Sequence, residues 1–266
     1  MTEALPSSAR AHAQAAYAVR FEWGPTGAAA VADGADVAVV VDVLSFTTTV
    51  CVAIERGMTV LPFRWRDSRA AEYAAEREAT LALGRHEARA AQQAGRADAV
   101  SLSPVAIAES QGIARLVLPS PNGSSICFAL ADSGVAVVAA CLRNRSAVAA
   151  WLALQVTAGR RLAVVAAGER WPDGSLRPAV EDLWGVGAVL AALVDLGHGG
   201  LSPEATVAEQ AFRAVADRLS AAMESCASGR ELAAAGFGED VEVAAQLDAS
   251  PVVPMLGREG FADARS

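Results

Sequence analysis

The stretch VAVVVDVLSFTTTV, residues 37 to 50, opens with an unbroken apolar run, reaches Asp42, and within seven residues of it carries three consecutive threonines. An apolar run without alternation reads as a strand buried on both faces, the kind found in parallel sheets covered by helices. Residues 47–56 then show helical spacing of their apolar positions and stop at Gly57, a C-terminal stop signal. Asp42 therefore stands where a strand gives way to a loop and a helix.

The same alternation continues in both directions. Strands are expected at residues 17–22, 37–43, 59–63, 115–119, 135–140 and 162–167, and helices at 47–56, 68–83, 124–131, 146–158 and 180–196. This pattern predicts a layered α/β fold whose strands are covered on both faces. After Pro203 the strand signal fades, and residues 204–227 and 229–247 read as a mostly helical cap that ends in the short apolar VVPML. A length of 266 residues with 53% hydrophobic and 20% charged residues can bury a large core, and the chain is expected to form a single α/β domain over 1–266.

Composition removes several classes of function. All 22 basic residues are arginines, so the chain has no lysine for a P-loop or a Schiff base. The net charge of −8 and the absence of a basic block argue against nucleic acid as a partner. The N-terminal segment has no leader pattern and no apolar run approaches the ~20 residues of a bilayer span, so no membrane partner and a cytoplasmic location are expected. The four cysteines lack paired spacing and are expected to be reduced packing residues. His12, His86 and His198 have no spaced partners for metal or triad chemistry.

Three clusters remain as candidates for chemistry. In open α/β sheets, ligands bind beyond the carboxyl ends of strands, at loops leading into helix N-termini that attract anions. Asp42 lies at such a place, and the hydroxyls of Thr47, Thr48 and Thr49 are placed to hold phosphate oxygens or, alternatively, to satisfy the first turn of their own helix. The second cluster is LPSPNGSSI, residues 118 to 126, where Asn122, Ser124 and Ser125 either face a cleft shared with Asp42 or belong to an ordinary Asn-Gly turn. The third is a polar loop ending in Glu181 and Asp182, whose acids either complement a helix dipole or, with Asp42, supply the oxygen ligands of a hard cation. Gly185-Val186-Gly187 lies inside the helical pattern and is attributed to close helix–sheet packing.

Taken in order, these segments resemble the 2-phosphosulfolactate phosphatase family of magnesium-dependent acid phosphatases. DVLSFTTTV is similar to that family's Asp-Val-Leu-Arg-Ala-Ser/Thr-Thr-Thr segment, LPSPNGSSI to its Asn-Gly-Thr turn, and VEDLWGVGAVL to its Glu-Asp helix. SLSP at 101–104, CLRNRSAVA at 141–149 and the DVEVAAQLDASPVVPML tail add to the resemblance. It implies a three-layer α/β/α fold with a parallel or mixed sheet, and Mg²⁺-dependent hydrolysis of phosphate esters of 2-hydroxy acids. On that basis Asp42, Asn122, Glu181 and Asp182 are the expected catalytic residues, with Asp42, Glu181 and Asp182 around the metal and Thr47, Thr48, Ser124 and Ser125 on the substrate.

The chain also departs from the family pattern. Ser45 stands where the family has arginine, Arg85 follows Gly84 where it has glutamate, and Leu102 replaces an asparagine. An arginine that would grip a carboxylate or sulfonate in two-pronged fashion is therefore missing from the first loop. Arg85, Arg143, Arg145 and Arg170 are candidates to replace it, with Arg143 preferred because it follows an apolar strand. The expected partner is a small phosphorylated substrate. The rival readings are a catalytically silent protein binding a phosphorylated or dicarboxylic metabolite, and a phosphatase serving another ester. Alanine-rich helical surfaces leave room for a homodimer.

Overall fold

A computed structural model describes residues 11–64, 68–96 and 98–265. The first ten residues, part of the segment on which the expectation about a leader was read, lie outside this range. The strands are β1 (Val19–Trp23), β2 (Val37–Val41), β3 (Thr59–Phe63), β4 (Thr80–Leu81), β5 (Arg115–Pro119), β6 (Ala136–Ala140), β7 (Leu162–Ala166), β8 (Glu169–Arg170), β9 (Leu176–Arg177), β10 (Pro254–Gly257) and β11 (Gly260–Asp263). Nine of them form one sheet in the order β1-β7-β2-β6-β10-β11-β3-β5-β4, while β8 and β9 pair separately.

The sheet is mixed. β1, β7, β2 and β6 are parallel neighbours, and so are β3, β5 and β4. Between these two blocks lies the antiparallel pair β10 and β11, bridged to β6 through Met255 and Val138 and to β3 through Phe261 and Val60. VVPML, expected at the end of a helical cap, thus supplies the first strand of the hairpin that joins the blocks.

The two-residue period of a strand explains the layers. Val37, Val39 and Val41 face one core with the helices Arg145–Thr157, Val180–Asp195 and Pro203–Arg213. Ala38 and Val40 face the opposite core with the helices Gly24–Ala32, Phe46–Glu55 and Gly123–Asp132. The result is a three-layer α/β/α fold with β2 buried on both faces, each fully buried valine contributing about 1.5–3 kcal/mol.

Gly185 and Gly187 show why the helix of residues 180–195 sits so close. A Cβ at Gly185 would lie 2.6 Å from a Val43 methyl, and one at Gly187 would lie 2.0 Å from the Ala208 carbonyl oxygen. The glycines serve packing against β2's end and the next helix, as the sequence pattern implied.

Some expected elements are divided. The helix read at 68–83 ends at Glu76, Glu78 turns the chain with a φ of 49°, and Thr80–Leu81 pairs with β5. Alanine-rich spacing hid this break because alanine is accepted in a turn and a short strand when tertiary pairing demands it. The cap likewise divides into Pro203–Arg213, Leu219–Ser225, Ala227–Ala234 and Gly238–Ala244. No helix among the described residues is long and apolar enough to cross a membrane.

Candidate active site

β2 delivers Asp42 to the edge of a cavity. Its carboxylate accepts the backbone N–H of Phe46 on Oδ1 at 3.2 Å and that of Gly123 on Oδ2 at 3.0 Å. These donors come from the N-terminal ends of two helices, so the Asp42 and Asn122 loops do meet, as a shared cleft requires. Asn-Gly is used here for closeness rather than for a left-handed turn: a Cβ at Gly123 would stand 2.7 Å from Asp42 Oδ2 and 2.5 Å from the Phe46 ring. Only glycine lets the two loops approach this far.

Asp42 is 6% exposed. Burial raises its pKa to about 7, with the nearby Glu169 charge adding to the rise and the bonds from Phe46 and Gly123 opposing it. A carboxylate so placed gains from any cation that enters the cavity.

Asp182, in the first turn of the helix Val180–Asp195, has a different task. Its Oδ1 accepts the Val43 N–H at 2.7 Å and its Oδ2 the Gly168 N–H at 2.9 Å, tying the loop after β2 to the loop after β7. Burial lifts its pKa well above the carboxylate range, and the charges of Asp42 and Glu181 push the same way. Glu181 is also buried, and its Oε2 has no hydrogen-bond partner among the described residues. Beside it the Cys226 thiol is pushed up to about 11, by burial first and then by the Glu181 charge. All four cysteines are free and buried.

The cavity measures about 260 Å³, and its lining includes Asp42, Ser45, Phe46, Arg85, Asn122, Glu169, Ser228 and Glu231. Asn122 Nδ2 donates to Glu169 Oε2 at 2.9 Å. Burial raises the Glu169 pKa, while this bond partly opposes the rise. A size near the lower end of the ~300–1,000 Å³ common for ligand pockets suits a small metabolite rather than a polymer.

Other expected site residues lie elsewhere or are differently engaged. Thr47 Oγ1 donates to the Asp42 carbonyl at 2.8 Å and accepts the Asp42 N–H at 2.9 Å, while Thr48 Oγ1 donates to the Val43 carbonyl at 2.8 Å. Both side chains are fully buried, so these hydroxyls hold the loop in shape, and the phosphate-receiving role expected for them is corrected to a backbone one. Ser124 Oγ donates to the carbonyls of Phe63 and Ser120, fastening the turn to β3, and Ser125 is half-buried outside the cavity lining.

Arg143 is also corrected. It reaches Glu55 at 3.1 Å and Gln246, joining the helix Phe46–Glu55 to the C-terminal region away from the cavity. Among the described residues, no group of three or more His, Cys, Asp or Glu side chains is spaced to hold a metal ion. Asp182 and Glu181 stand outside the cavity lining, so Asp42 shares the cavity with Glu169 and Glu231 instead of with them.

Glu169 and Glu231 were not among the expected site residues. A signal for Glu169 existed, since it follows β7 at a carboxyl strand end just as Asp42 follows β2. Glu231 sits in the middle of a cap helix, Ala227–Ala234, and nothing in its local pattern distinguishes it from a solvated acid.

The fold and the cavity together define a class: a three-layer α/β/α protein with a small carboxylate-rich pocket built at strand ends and helix N-termini. A family model described as 2-phosphosulpholactate phosphatase matches residues 27–259. The chain belongs to that family. It is also 32% identical over 231 residues to a probable 2-phosphosulfolactate phosphatase of Deinococcus radiodurans, a match covering 83% of this chain and 88% of the relative.

Proposed function

We propose that the protein is a phosphoric monoester hydrolase that removes phosphate from a phosphorylated 2-hydroxy acid of the 2-phosphosulfolactate type, with the help of a divalent cation such as Mg²⁺. Membership of the family and the name of the Deinococcus relative support the reaction. The observation that carries the reading is the seat of Asp42: a buried carboxylate held by two helix N-termini at the rim of a small cavity.

The donor set favours a hard cation. Asp42, Glu169 and Glu231 face the cavity with a single arginine among the described lining residues, and a phosphate dianion does not enter such a space without added positive charge. Mg²⁺ binds through one or two carboxylates, keeps several waters and uses substrate oxygens for the rest, so it needs no closed three-residue cage. Asp42 and Glu169, which both line the cavity, are the residues that would hold it. When bound, the ion supplies charge neutralisation at the phosphoryl oxygens and a more acidic water.

The chain's own residues do the rest. Asn122 fixes the orientation of Glu169, and the amides of Phe46 and Gly123 fix Asp42 so that little reorganisation accompanies the reaction. Asp182 holds the two loops in register behind them.

Phosphate release from a panel of phosphorylated 2-hydroxy acids, measured in Mg²⁺ and in excess chelator, tests the proposal. The expected result is turnover of 2-phosphosulfolactate or a close analogue in Mg²⁺ and a loss of at least about a hundredfold in chelator. Tight binding of the same esters without turnover of any would instead establish the silent binding protein.

A further inference from the structure

Arg85 is the one basic side chain in the cavity lining among the described residues, and it is held from two sides. Its Nε donates to Asp240 Oδ2 at 2.6 Å and its Nη2 to Ser45 Oγ at 2.5 Å. Asp240 is itself buried and also accepts the Ser103 hydroxyl at 2.5 Å, so the carboxylate that orients the guanidinium is anchored in turn. The Phe237 ring lies 5.7 Å from the guanidinium carbon. The third nitrogen, Nη1, donates to no described residue.

A guanidinium fixed on two of its nitrogens, with the third left over at the wall of an otherwise acidic cavity, is prepared for an anion that arrives with the ligand. Compare Arg143, whose contacts reach both Glu55 and Gln246 away from the cavity. Asp42 and Glu169 make the rest of the cavity suitable for a cation and the phosphoryl group it accompanies. Arg85 gives the same small volume a place for a second, separate negative charge.

We infer that Arg85 is the specificity-determining residue of this enzyme: it binds the sulfonate or carboxylate of the substrate, while Ser45 and Asp240 act as positioning residues that aim it. The inference rests on the phosphatase reading and adds the chemical requirement that the preferred ester carry a second fixed anion beside its phosphate.

The test compares 2-phosphosulfolactate with phenyl phosphate, an ester whose tail is neutral, in the full-length protein and in Arg85→Gln, Arg85→Lys and Asp240→Asn. Arg85→Gln should raise KM for 2-phosphosulfolactate by about tenfold or more, the scale of a charge-assisted hydrogen bond, while phenyl phosphate turnover changes by less than about threefold. Arg85→Lys should recover part of the loss, and Asp240→Asn should reproduce part of it on the charged ester alone.

Equal losses on both esters, or no change on either, would overturn the assignment. Should the wild-type protein hydrolyse neither ester, the phosphatase reading fails, and calorimetry with sulfolactate decides about Arg85 separately. Binding that weakens about tenfold in Arg85→Gln and persists in Arg143→Gln supports the assignment, and binding unchanged in Arg85→Gln refutes it.

Discussion

Asp42 and Asp182 are both buried, both accept two backbone N–H bonds, and both have pKa values raised by burial and by neighbouring acids, yet only Asp42 lines the cavity. Burial and a perturbed pKa therefore do not distinguish a group that lines the cavity from one that only fastens loops together. The distinction lies in what each carboxylate joins. Asp42 links two helix N-termini at the cavity rim, whereas Asp182 links the loop after β2 to the loop after β7 behind it.

The largest effect outside Asp42 itself is expected at Gly123. A methyl there intrudes on both Asp42 Oδ2 and the Phe46 ring, so Gly123→Ala should lower kcat/KM by at least about tenfold and destabilise the fold by about 1–3 kcal/mol. Steady-state kinetics with urea unfolding would check both numbers. Wild-type kinetics in that variant would mean that the loop contact with Asp42 does not matter to turnover.

Asp182→Ala should show the opposite balance. It leaves the N–H groups of Val43 and Gly168 without their acceptor, at a cost of about 2–4 kcal/mol. Residual activity should follow the folded fraction measured by circular dichroism.

The pH dependence sharpens the comparison further. Asp42 has a folded pKa of about 7, by burial first and then Glu169, against about 3.9 for an unfolded aspartate. A raised folded pKa means that its contribution to stability is complete below the unfolded value and is lost as pH rises through the folded one. Glu169 and Asp182 shift in the same direction. The metal-free protein should therefore lose Tm between about pH 4 and 7, and Mg²⁺ should restore more of it at the upper end than at the lower. A Tm gain from Mg²⁺ that does not depend on pH would separate the cation from these carboxylates.

The smallest effect is expected at Arg143. Its ion pair with Glu55 is partly buried, so Arg143→Gln should cost about 1–3 kcal/mol of stability and leave kcat/KM within about threefold. A sharper comparison comes from adding Ser45→Arg to Arg85→Glu, which moves the arginine to the loop after Asp42. Recovery of activity in the double variant over Arg85→Glu alone is expected.

Much of the fold was legible because apolar strands and helical spacing are local signals. β2, β3, β5, β6 and β7 fall where VAVVV and its counterparts predicted them. What stayed hidden was non-local: Thr80–Leu81 becomes a strand because β5 accepts it, and Pro254–Gly257 because two parallel blocks leave a gap between Val138 and Val60. The site follows the same division. Asp42 and Asn122 drew notice because they stand at strand ends, and the structure places both in the lining of the cavity. The hydroxyls of Thr47 and Thr48 are spent on the backbone of their own loop, and that of Thr49 on the Leu102 carbonyl. Arg85 was one of four candidates, and of these it alone lines the cavity, held there by Ser45 and by Asp240, 155 residues away in the chain.

Turnover of 2-phosphosulfolactate in Mg²⁺ by Asp42→Asn and Asp182→Asn, each corrected for its folded fraction, tests the central claim most directly. The expected result is a fall of at least about a hundredfold for Asp42→Asn and a change within about threefold for Asp182→Asn. Full activity in folded Asp42→Asn, or an equal fall in both variants, would contradict the assignment of chemistry to the cavity carboxylate and of architecture to the one behind it.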